Sequence, residues 1–202
     1  MRQNLFLEGL LIGFSIAAPV GPIGVLCIRR SLAGGMLRGL ASGLGAATAD
    51  AAYGFVAAFG LTAVSGFLVR QQFALGLVGG GFLCFLGVRT FLSAPAAGGA
   101  PQKGGSLSSS YASTLALTLA NPATILSFAA VFAGLGLGSA DDYFSAGRMV
   151  VGVFLGSAAW WVILSSGAGL LRSRVDGRWM RAINRLSGTV LFAFGVYALS
   201  RV

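Results

Sequence analysis

Residues 14–22 read FSIAAPVGP and place two prolines and a glycine inside a long apolar segment. Proline lacks a backbone N–H and clashes with the carbonyl four residues earlier, so Pro19 and Pro22 leave carbonyls without helical partners. Gly21 relaxes the chain between them. An unsatisfied backbone group costs several kcal/mol in hydrocarbon, so such a break survives only against protein or beside a water-filled cavity. The stretch predicts an unwound, cavity-lining segment, with a simple proline kink as the alternative.

The composition around this stretch is that of a membrane protein. Of 202 residues, 56% are hydrophobic and 9% are charged, whereas about a quarter of the residues are charged in a soluble domain. Arg38 and Arg70 bracket a stretch whose one charged residue is Asp50, and Lys103 and Asp141 bracket a stretch with none. About 20 apolar residues cross a bilayer as a helix. The sequence therefore predicts an all-α integral membrane protein.

Several classes of function are disfavoured by the charges and by the residue types. The net charge is +9, but the basic residues stand at the ends of apolar segments, a pattern of membrane topology and not of nucleic-acid binding. The chain has no histidine, which excludes a His-ligated metal and a Ser–His catalytic pair. Cys27 and Cys84 lie in apolar segments without CxxC spacing and are interpreted as free thiols. No cofactor is expected.

Six apolar segments are predicted to be transmembrane helices, the first being a retained span and not a signal peptide. They cover residues 5–28, 39–64, 71–93, 111–137, 147–171 and 180–201. Between the third and fourth lies a stretch rich in Gly, Ser, Pro and Ala, residues 94–110, which predicts a flexible linker. The chain therefore divides into a first three-helix repeat, 1–93, this linker, and a second three-helix repeat, 111–202.

The fourth segment is broken at Asn121-Pro122, much as the first is broken at Pro19 to Pro22. Aligning Pro22 with Pro122 superimposes the broken first span of each half. Three spans per half force the halves to insert in opposite directions, which predicts a 3+3 inverted repeat, a common transporter architecture. Asn121 is suited to cap a half-helix that begins at Pro122, and its amide is also a candidate ligand contact.

The distribution of basic residues predicts the orientation in the membrane. The side reached by the loops after spans one, three and five holds ten: Arg29, Arg30, Arg38, Arg89, Lys103, Arg172, Arg174, Arg178, Arg181 and Arg185. The opposite side holds four: Arg2, Arg70, Arg148 and Arg201. The positive-inside rule then places the first set in the cytoplasm and both termini outside it.

The two breaks and one carboxylate predict a binding site. Half-helix N-termini carry partial positive charge and N–H groups that can hold a carboxylate, and those near Gly21 and Asn121 would meet near the midplane. Asp50 is the one acidic residue deep in a span, where an acid is a candidate proton carrier or cation partner. A structural hydrogen bond is the alternative. Tyr53, one turn on, is expected to contact the same cavity. These features favour a small zwitterion or an organic anion as the ligand.

The motifs that carry these features resemble a known family. The stretch of residues 18–54 reads APVGPIGVLCIRRSLAGGMLRGLASGLGAATADAAYG, and that of residues 117–137 reads LTLANPATILSFAAVFAGLGL. Together they resemble the lysine-exporter (LysE) family of bacterial amino-acid efflux proteins, over essentially the whole chain. The resemblance implies six helices, an inner-membrane location and export of amino acids driven by the proton gradient. By that similarity the first family motif corresponds to Pro19, Gly21 and Pro22, the second-helix acid to Asp50, and the fourth-helix motif to Asn121 and Pro122.

The resemblance implies no single substrate. Many relatives read PGPN in the first motif and NPK in the later one, where this chain has Ile23 and Ala123; lysine is one candidate among several amino acids. The expected partners are an amino-acid substrate, protons and the lipid bilayer, and the oligomeric state stays open, a homo-oligomer included. The rival interpretations are a transporter of a metal cation or organic anion, a membrane-embedded enzyme and a structural scaffold. The enzyme is disfavoured because Asp50 has no acidic or histidine partner in the spans.

Overall fold

The protein is all-helical wherever its structure is described. The structure is a computed structural model that describes residues 5–19, 21–59, 70–93, 106–121, 124–125, 127–128 and 143–200. Over these residues it contains helices and no strand, which confirms the all-α prediction. The helices are α1 (Leu5–Ala17), α2 (Pro22–Gly34), α3 (Met36–Ala58), α4 (Gln72–Phe91), α5 (Leu107–Leu119), α6 (Tyr143–Leu171), a 3-10 turn (Arg172–Arg174) and α7 (Gly177–Ser200). Residues 124–125 and 127–128 are also helical.

The first predicted span consists of two helices and not one. The axes of α1 and α2 differ by 79°, and the chain changes direction where the sequence places its prolines and glycine. Pro22 occupies the first turn of α2, where its missing N–H is no loss because that group would have no helical acceptor. The helix runs past the predicted end at residue 28 to Gly34. It stops there because Gly35 adopts φ 91°, a conformation that favours glycine.

Helices α1 and α6 pack with their backbones nearly in contact. A Cβ atom added at Gly9 or Gly13 would collide with backbone carbonyl oxygens of α6, and one added at Gly152 or Gly156 would collide with those of α1. Small residues let membrane helices approach this closely. Helices α4 and α7 also pack on each other through glycines. Helix α3 packs against α2, α5 and α6.

Several polar side chains lie inside the bundle, and many large apolar side chains lie on its surface. Among the exposed apolar side chains are Tyr143 (84% exposed), Leu170 (80%) and Leu92 (73%). The buried polar side chains are Ser31, Ser42, Asp50, Thr90, Ser110, Thr114, Thr118, Ser157, Ser165, Asn184 and Ser187. Soluble monomers rarely expose large contiguous apolar patches, so this surface is suited to lipid. Within the described residues, two helical stretches are long and apolar enough to cross a membrane, 143–174 and 177–200, and the bent α1–α2 pair is a third.

The fourth helical segment begins earlier than the sequence predicts. Helix α5 begins at Leu107, inside the segment predicted as linker, because the Ser106 side chain caps it by accepting a hydrogen bond from the Ser109 N–H at 3.1 Å. Residues 94–105 lie outside the described part of the chain. The predicted second and fourth spans also run beyond it, so the count of six spans and the inverted repeat stay predictions.

Candidate functional site

One cavity brings together five of the six residues predicted to form the site. The five are Pro19, Gly21, Pro22, Asp50 and Asn121. The sixth, Pro122, lies outside the described residues. The cavity has a volume of about 380 Å³, within the range of about 300–1,000 Å³ for small-molecule pockets. Its wall also includes Thr118 and Thr124 beside the second break, Trp161 from α6 and Phe194 from α7.

The N-terminal end of α2 faces this cavity. Gly21 precedes the helix in an extended conformation (φ −92°, ψ −162°), and its carbonyl accepts a hydrogen bond from the Val25 N–H at 3.1 Å. The Gly21 N–H donates to the Pro19 carbonyl at 2.9 Å. Ile23 and Gly24 also line the cavity; their N–H groups belong to the first turn, which has no intrahelical acceptors, and Gly21 has no side chain to cap them. The helix therefore presents N–H groups and the positive end of its dipole to the cavity.

The chain breaks again at Asn121, with backbone hydrogen bonds like those at Gly21. Helix α5 ends at Leu119. The Asn121 carbonyl then accepts hydrogen bonds from the N–H groups of Thr124 (3.1 Å) and Ile125 (3.2 Å). A carbonyl that accepts the first helical bonds belongs to the residue at the N-cap position, which is the position predicted for Asn121. Thr124 lines the cavity with Asn121, so a second helix start reaches the same space.

Asp50 lies in the interior of α3 with 3% of its surface exposed. Its Oδ2 accepts a hydrogen bond of 2.7 Å from the Ser157 Oγ on α6. Across the residues that the structure describes, no basic side chain is paired with it. Burying an unpaired carboxylate is costly, and Asp50 lines the cavity. A bound cation or a proton is therefore the chemistry that would complete its surroundings.

Trp161 and Ser157 connect the cavity wall to Asp50, and the sequence reasoning missed both. The Trp161 indole Nε1 donates to the Ser157 Oγ at 3.1 Å. Trp161 is 4% exposed, and a side chain at Gly43 would collide with it, so the glycine makes room for the indole. A serine or a tryptophan in an apolar helix is ordinary. Ser157 and Trp161 are spaced i, i+4, which puts both on one face of a helix. This spacing is the feature of the sequence that could have identified them as a pair.

Tyr53 supports the second break and does not line the cavity, which corrects the expectation from its position near Asp50. The Tyr53 hydroxyl donates a hydrogen bond of 2.6 Å to the Leu119 carbonyl. That carbonyl lies in the last turn of α5, where the helix itself offers no N–H donor. The Tyr53 ring packs beside Phe128, with 5.6 Å between ring centroids. Tyr53 therefore stabilises the end of α5 next to Asn121.

Arg30 hydrogen-bonds α2 to α3 and α5 near the C-terminal end of α2, away from the break. Its guanidinium donates to the Ser42 Oγ (2.7 Å) on α3. It also donates to three groups on α5: the Thr114 Oγ1 (2.8 Å), the Ser113 Oγ (2.9 Å) and the Ser110 carbonyl (2.9 Å). All four acceptors are neutral oxygens. The positive charge is thus held between three helices by hydrogen bonds and not by a carboxylate.

Arg29 makes a parallel connection to the other side of the bundle. Its Nε donates to the Asn184 Oδ1 on α7 at 3.0 Å, and the Asn184 Nδ2 donates to the Ser93 carbonyl at 3.0 Å. The count of basic residues in the sequence treats Arg29 and Arg30 as loop residues that set the orientation. Both lie inside α2 and bind other helices, because the helix continues beyond residue 28.

Comparisons with known proteins show the family to which the chain belongs. The family described as "LysE type translocator" matches residues 14–201. The chain belongs to that family. The resemblance to LysE proteins predicted from the sequence motifs is thereby confirmed. One relative, "Putative amino acid efflux protein YcgF" of Bacillus subtilis (strain 168), is 27% identical over 206 residues, covering 96% of this chain and 95% of the relative. No solved structure is significantly similar to the chain.

Family membership settles the broad class of the protein. A LysE-type translocator is a transport protein and not an enzyme. Together with the apolar surface of its helices, this identifies the chain as a multi-pass membrane transporter. The cavity at the two breaks is its candidate substrate site.

Proposed function

We propose that this LysE-type translocator exports a small amino acid or related zwitterion across the bacterial inner membrane, coupled to the proton gradient. The observation that carries the proposal is the single cavity in which Asp50 meets the two helix starts at Gly21 and Asn121. A zwitterion needs one region that attracts a carboxylate and another that attracts an ammonium group. This cavity contains both, and the efflux relative described above is named for amino acids.

The substrate carboxylate is assigned to the helix starts near Gly21 and Asn121. The first turn of α2 contributes N–H groups that lack intrahelical acceptors, at the positive end of the helix dipole. A Cβ atom added at Gly21 would meet no atom within 4 Å, so a ligand can approach this backbone closely. Carboxylates bind at such helix N-termini because N–H groups and dipole act together.

The substrate ammonium group is assigned to Asp50, which would hold it and a proton in turn. Among the described residues that line the cavity, Asp50 is the one with a formal charge. An ammonium group or a proton can each neutralise this buried carboxylate, and the two compete because either one satisfies it. Such competition moves a proton inward whenever a substrate leaves outward. Asp50 is thus the proposed coupling residue.

Alternating access of two inverted halves is the proposed motion. Its support is the likeness between the two breaks: Val25 bonds the carbonyl of Gly21 as Ile125 bonds that of Asn121. The packing has a matching pattern, since α1 of the first half contacts α6 and α5 of the second half contacts α3. The proposed hinges are Pro19, Gly21 and Pro22 at the first break and Pro122 at the second. The basic residues support a cytoplasmic position for the C-terminal end of α2 and an extracytoplasmic position for both termini.

The test is counterflow in proteoliposomes that contain the purified protein. Vesicles preloaded with one amino acid should take up the same labelled amino acid, saturably, for one or a few of the common amino acids. Efflux should quicken when the side receiving the substrate is made acidic, and a protonophore should abolish that effect. Asp50→Asn should remove the proton dependence and most of the exchange, whereas Glu8→Gln, an acid outside the cavity, should retain both. Absence of exchange from folded protein across the whole panel would contradict the amino-acid proposal.

A further inference from the structure

The hydrogen bonds behind the cavity wall fix the direction in which each hydrogen points. An indole Nε1 is a donor and never an acceptor. The bond of 3.1 Å between Trp161 and Ser157 therefore uses a lone pair of the Ser157 hydroxyl. A serine hydroxyl has one hydrogen. With an acceptor at 2.7 Å in Asp50 Oδ2, that hydrogen points at the carboxylate.

This direction distinguishes the two oxygens of Asp50. Oδ2 is an acceptor from Ser157, a residue that is fully buried and lies outside the cavity lining. Within the described part of the chain, Oδ1 has no hydrogen-bond partner from the protein. Asp50 lines the cavity. The carboxylate therefore has one oxygen engaged by the protein and a second oxygen available to a ligand.

We propose that Ser157 is a positioning residue for Asp50. Held by the hydrogen bond from Trp161, the Ser157 hydroxyl donates to Oδ2 of Asp50 and leaves Oδ1 to bind the ammonium group of the substrate or the exchanged proton. The inference rests on the proposed function and extends it to two residues behind and beside the site. Ser157 acts through Asp50 and does not touch the substrate. Trp161 lines the cavity. Its indole therefore links the cavity wall, through the Ser157 hydroxyl, to the Asp50 carboxylate.

A purely structural bond between α3 and α6 is the competing explanation, and the chain offers a control for it. Ser165 lies on α6 two turns after Ser157, is also fully buried, and has a hydroxyl without a hydrogen-bond partner in the described structure. Removing its hydroxyl changes the same helix and the same kind of atom without touching the chain from Trp161 to Asp50. Ser157→Ala and Ser165→Ala therefore separate positioning of Asp50 from general effects on the helix.

The experiment compares amino-acid counterflow in Ser157→Ala, Ser157→Thr, Trp161→Phe and Ser165→Ala. Each is measured with every common amino acid that the unsubstituted protein exchanges. Ser157→Ala should raise KM roughly 10- to 100-fold, the effect of losing a hydrogen bond to a charged group. Ser157→Thr keeps the hydroxyl and should restore KM to within about threefold. Trp161→Phe should raise KM about threefold to tenfold, because the serine hydrogen is then less constrained. Ser165→Ala should leave KM unchanged.

A second measurement needs no substrate and follows the indole N–H directly. Trp160→Phe and Trp179→Phe leave Trp161 as the one remaining tryptophan of three, and both positions lie outside the cavity lining. In that background, the frequency of the ultraviolet resonance Raman band that reports indole hydrogen bonding should shift in Ser157→Ala and remain unchanged in Ser165→Ala. It should also stay in Asp50→Asn, because the amide can present its oxygen to Ser157. Asp50→Asn then loses transport with the hydrogen-bond chain intact.

The results distinguish failure of the inference from failure of the proposed function. If the unsubstituted protein exchanges amino acids and Ser157→Ala has the KM of Ser165→Ala, the positioning role is overturned. An indole band that does not move in Ser157→Ala overturns the hydrogen-bond chain, whatever the transport result. If the unsubstituted protein exchanges no amino acid, the proposed function fails and the assignment of Oδ1 to an ammonium group fails with it. If Ser157→Ala does not fold, Trp161→Phe decides, since a KM equal to that of the unsubstituted protein contradicts the proposal.

Discussion

The two halves of the broken first span are attached to the protein in opposite ways. Helix α1 touches α6 through glycines, with so little space that an added Cβ at Gly9 or Gly13 would collide with the facing backbone. Helix α2 also packs apolar side chains such as Leu26 into the core, but it adds Arg29 and Arg30, whose guanidinium groups donate to neutral oxygens on α3, α5 and α7. The contact of α1 depends on the close approach of two backbones, whereas that of α2 includes hydrogen bonds from long, charged side chains.

This difference indicates which half can move during transport. Tightly packed interfaces have discrete arrangements and resist gradual deformation. The hydrogen bonds of Arg30 can be exchanged for bonds to water when the end of α2 is opened, because neutral acceptors hold a guanidinium less strongly than a carboxylate does. We expect α1 and α6 to move as one body and α2 to swing about the break at Gly21.

The largest effect is expected from Gly13→Ala, which breaks the glycine-packed side of the comparison. The new methyl group meets the Val153 carbonyl oxygen, and overpacking of this kind costs about 1–3 kcal/mol; we expect about 3 kcal/mol because the obstacle is backbone. The free energy of unfolding in mixed detergent micelles measures it. The matched control is Gly167→Ala on α6, where a Cβ meets nothing within 4 Å, and which should be neutral or slightly stabilising. Equal values for the two variants would refute the packing argument.

A smaller effect on stability is expected from Arg30→Gln, which tests the polar side. The amide retains some of the hydrogen bonds, so we expect a loss of about 1.5 kcal/mol. Its main effect should be on access to the cavity. With Gly21→Cys as the one thiol (Cys27→Ala and Cys84→Ala), that cysteine should react about tenfold faster with a water-soluble thiol reagent applied from the side of α2's C-terminal end. Arg185→Gln, at an exposed arginine, is the control and should change neither quantity. Unchanged access in Arg30→Gln would mean that α2 is not the moving half.

The smallest effect is expected from Tyr53→Phe. This substitution tests whether a side-chain hydrogen bond stabilises the chain next to the second break. Removing the hydroxyl leaves the Leu119 carbonyl without its 2.6 Å donor, and a neutral hydrogen bond contributes about 1 kcal/mol. Amide hydrogen exchange should quicken in the last turn of α5 and stay unchanged in α1. Faster exchange spread evenly over all helices would contradict a local role for Tyr53.

The sequence singled out the residues that line the candidate cavity, but not the residues around them. Helix breakers and a mid-span acid are rare enough in hydrocarbon to be informative, which is why Gly21, Asp50 and Asn121 could be singled out before any contact was known. The residues around them, Ser157 and Trp161, are chemically ordinary in an apolar helix. Their hydrogen bonds to Asp50 and to each other depend on the packing of α6 on α3, which no local sequence pattern encodes.

The arginines show a second limit of sequence reasoning. The positive-inside rule counts basic residues near span ends, and it treats Arg29 and Arg30 as residues that face water. Whether a basic residue faces water or binds another helix depends on where the helix ends. The end of α2 is set by Gly35 at φ 91°, and a pair of adjacent glycines in the sequence does not specify which one stops the helix.

Protection of a cysteine at Gly21 by the transported amino acid tests most directly whether the substrate occupies the cavity between the two helix starts. Gly21→Cys is made with Cys27→Ala and Cys84→Ala, so that it carries the one thiol of the protein. A side chain there meets open space. The rate of modification by a methanethiosulfonate reagent should fall at least fivefold with saturating transported amino acid, by occlusion of the cavity. Gly177→Cys, at an exposed glycine outside the cavity, should show no protection. If the transported amino acid slows modification at neither position, the substrate does not bind between the helix starts.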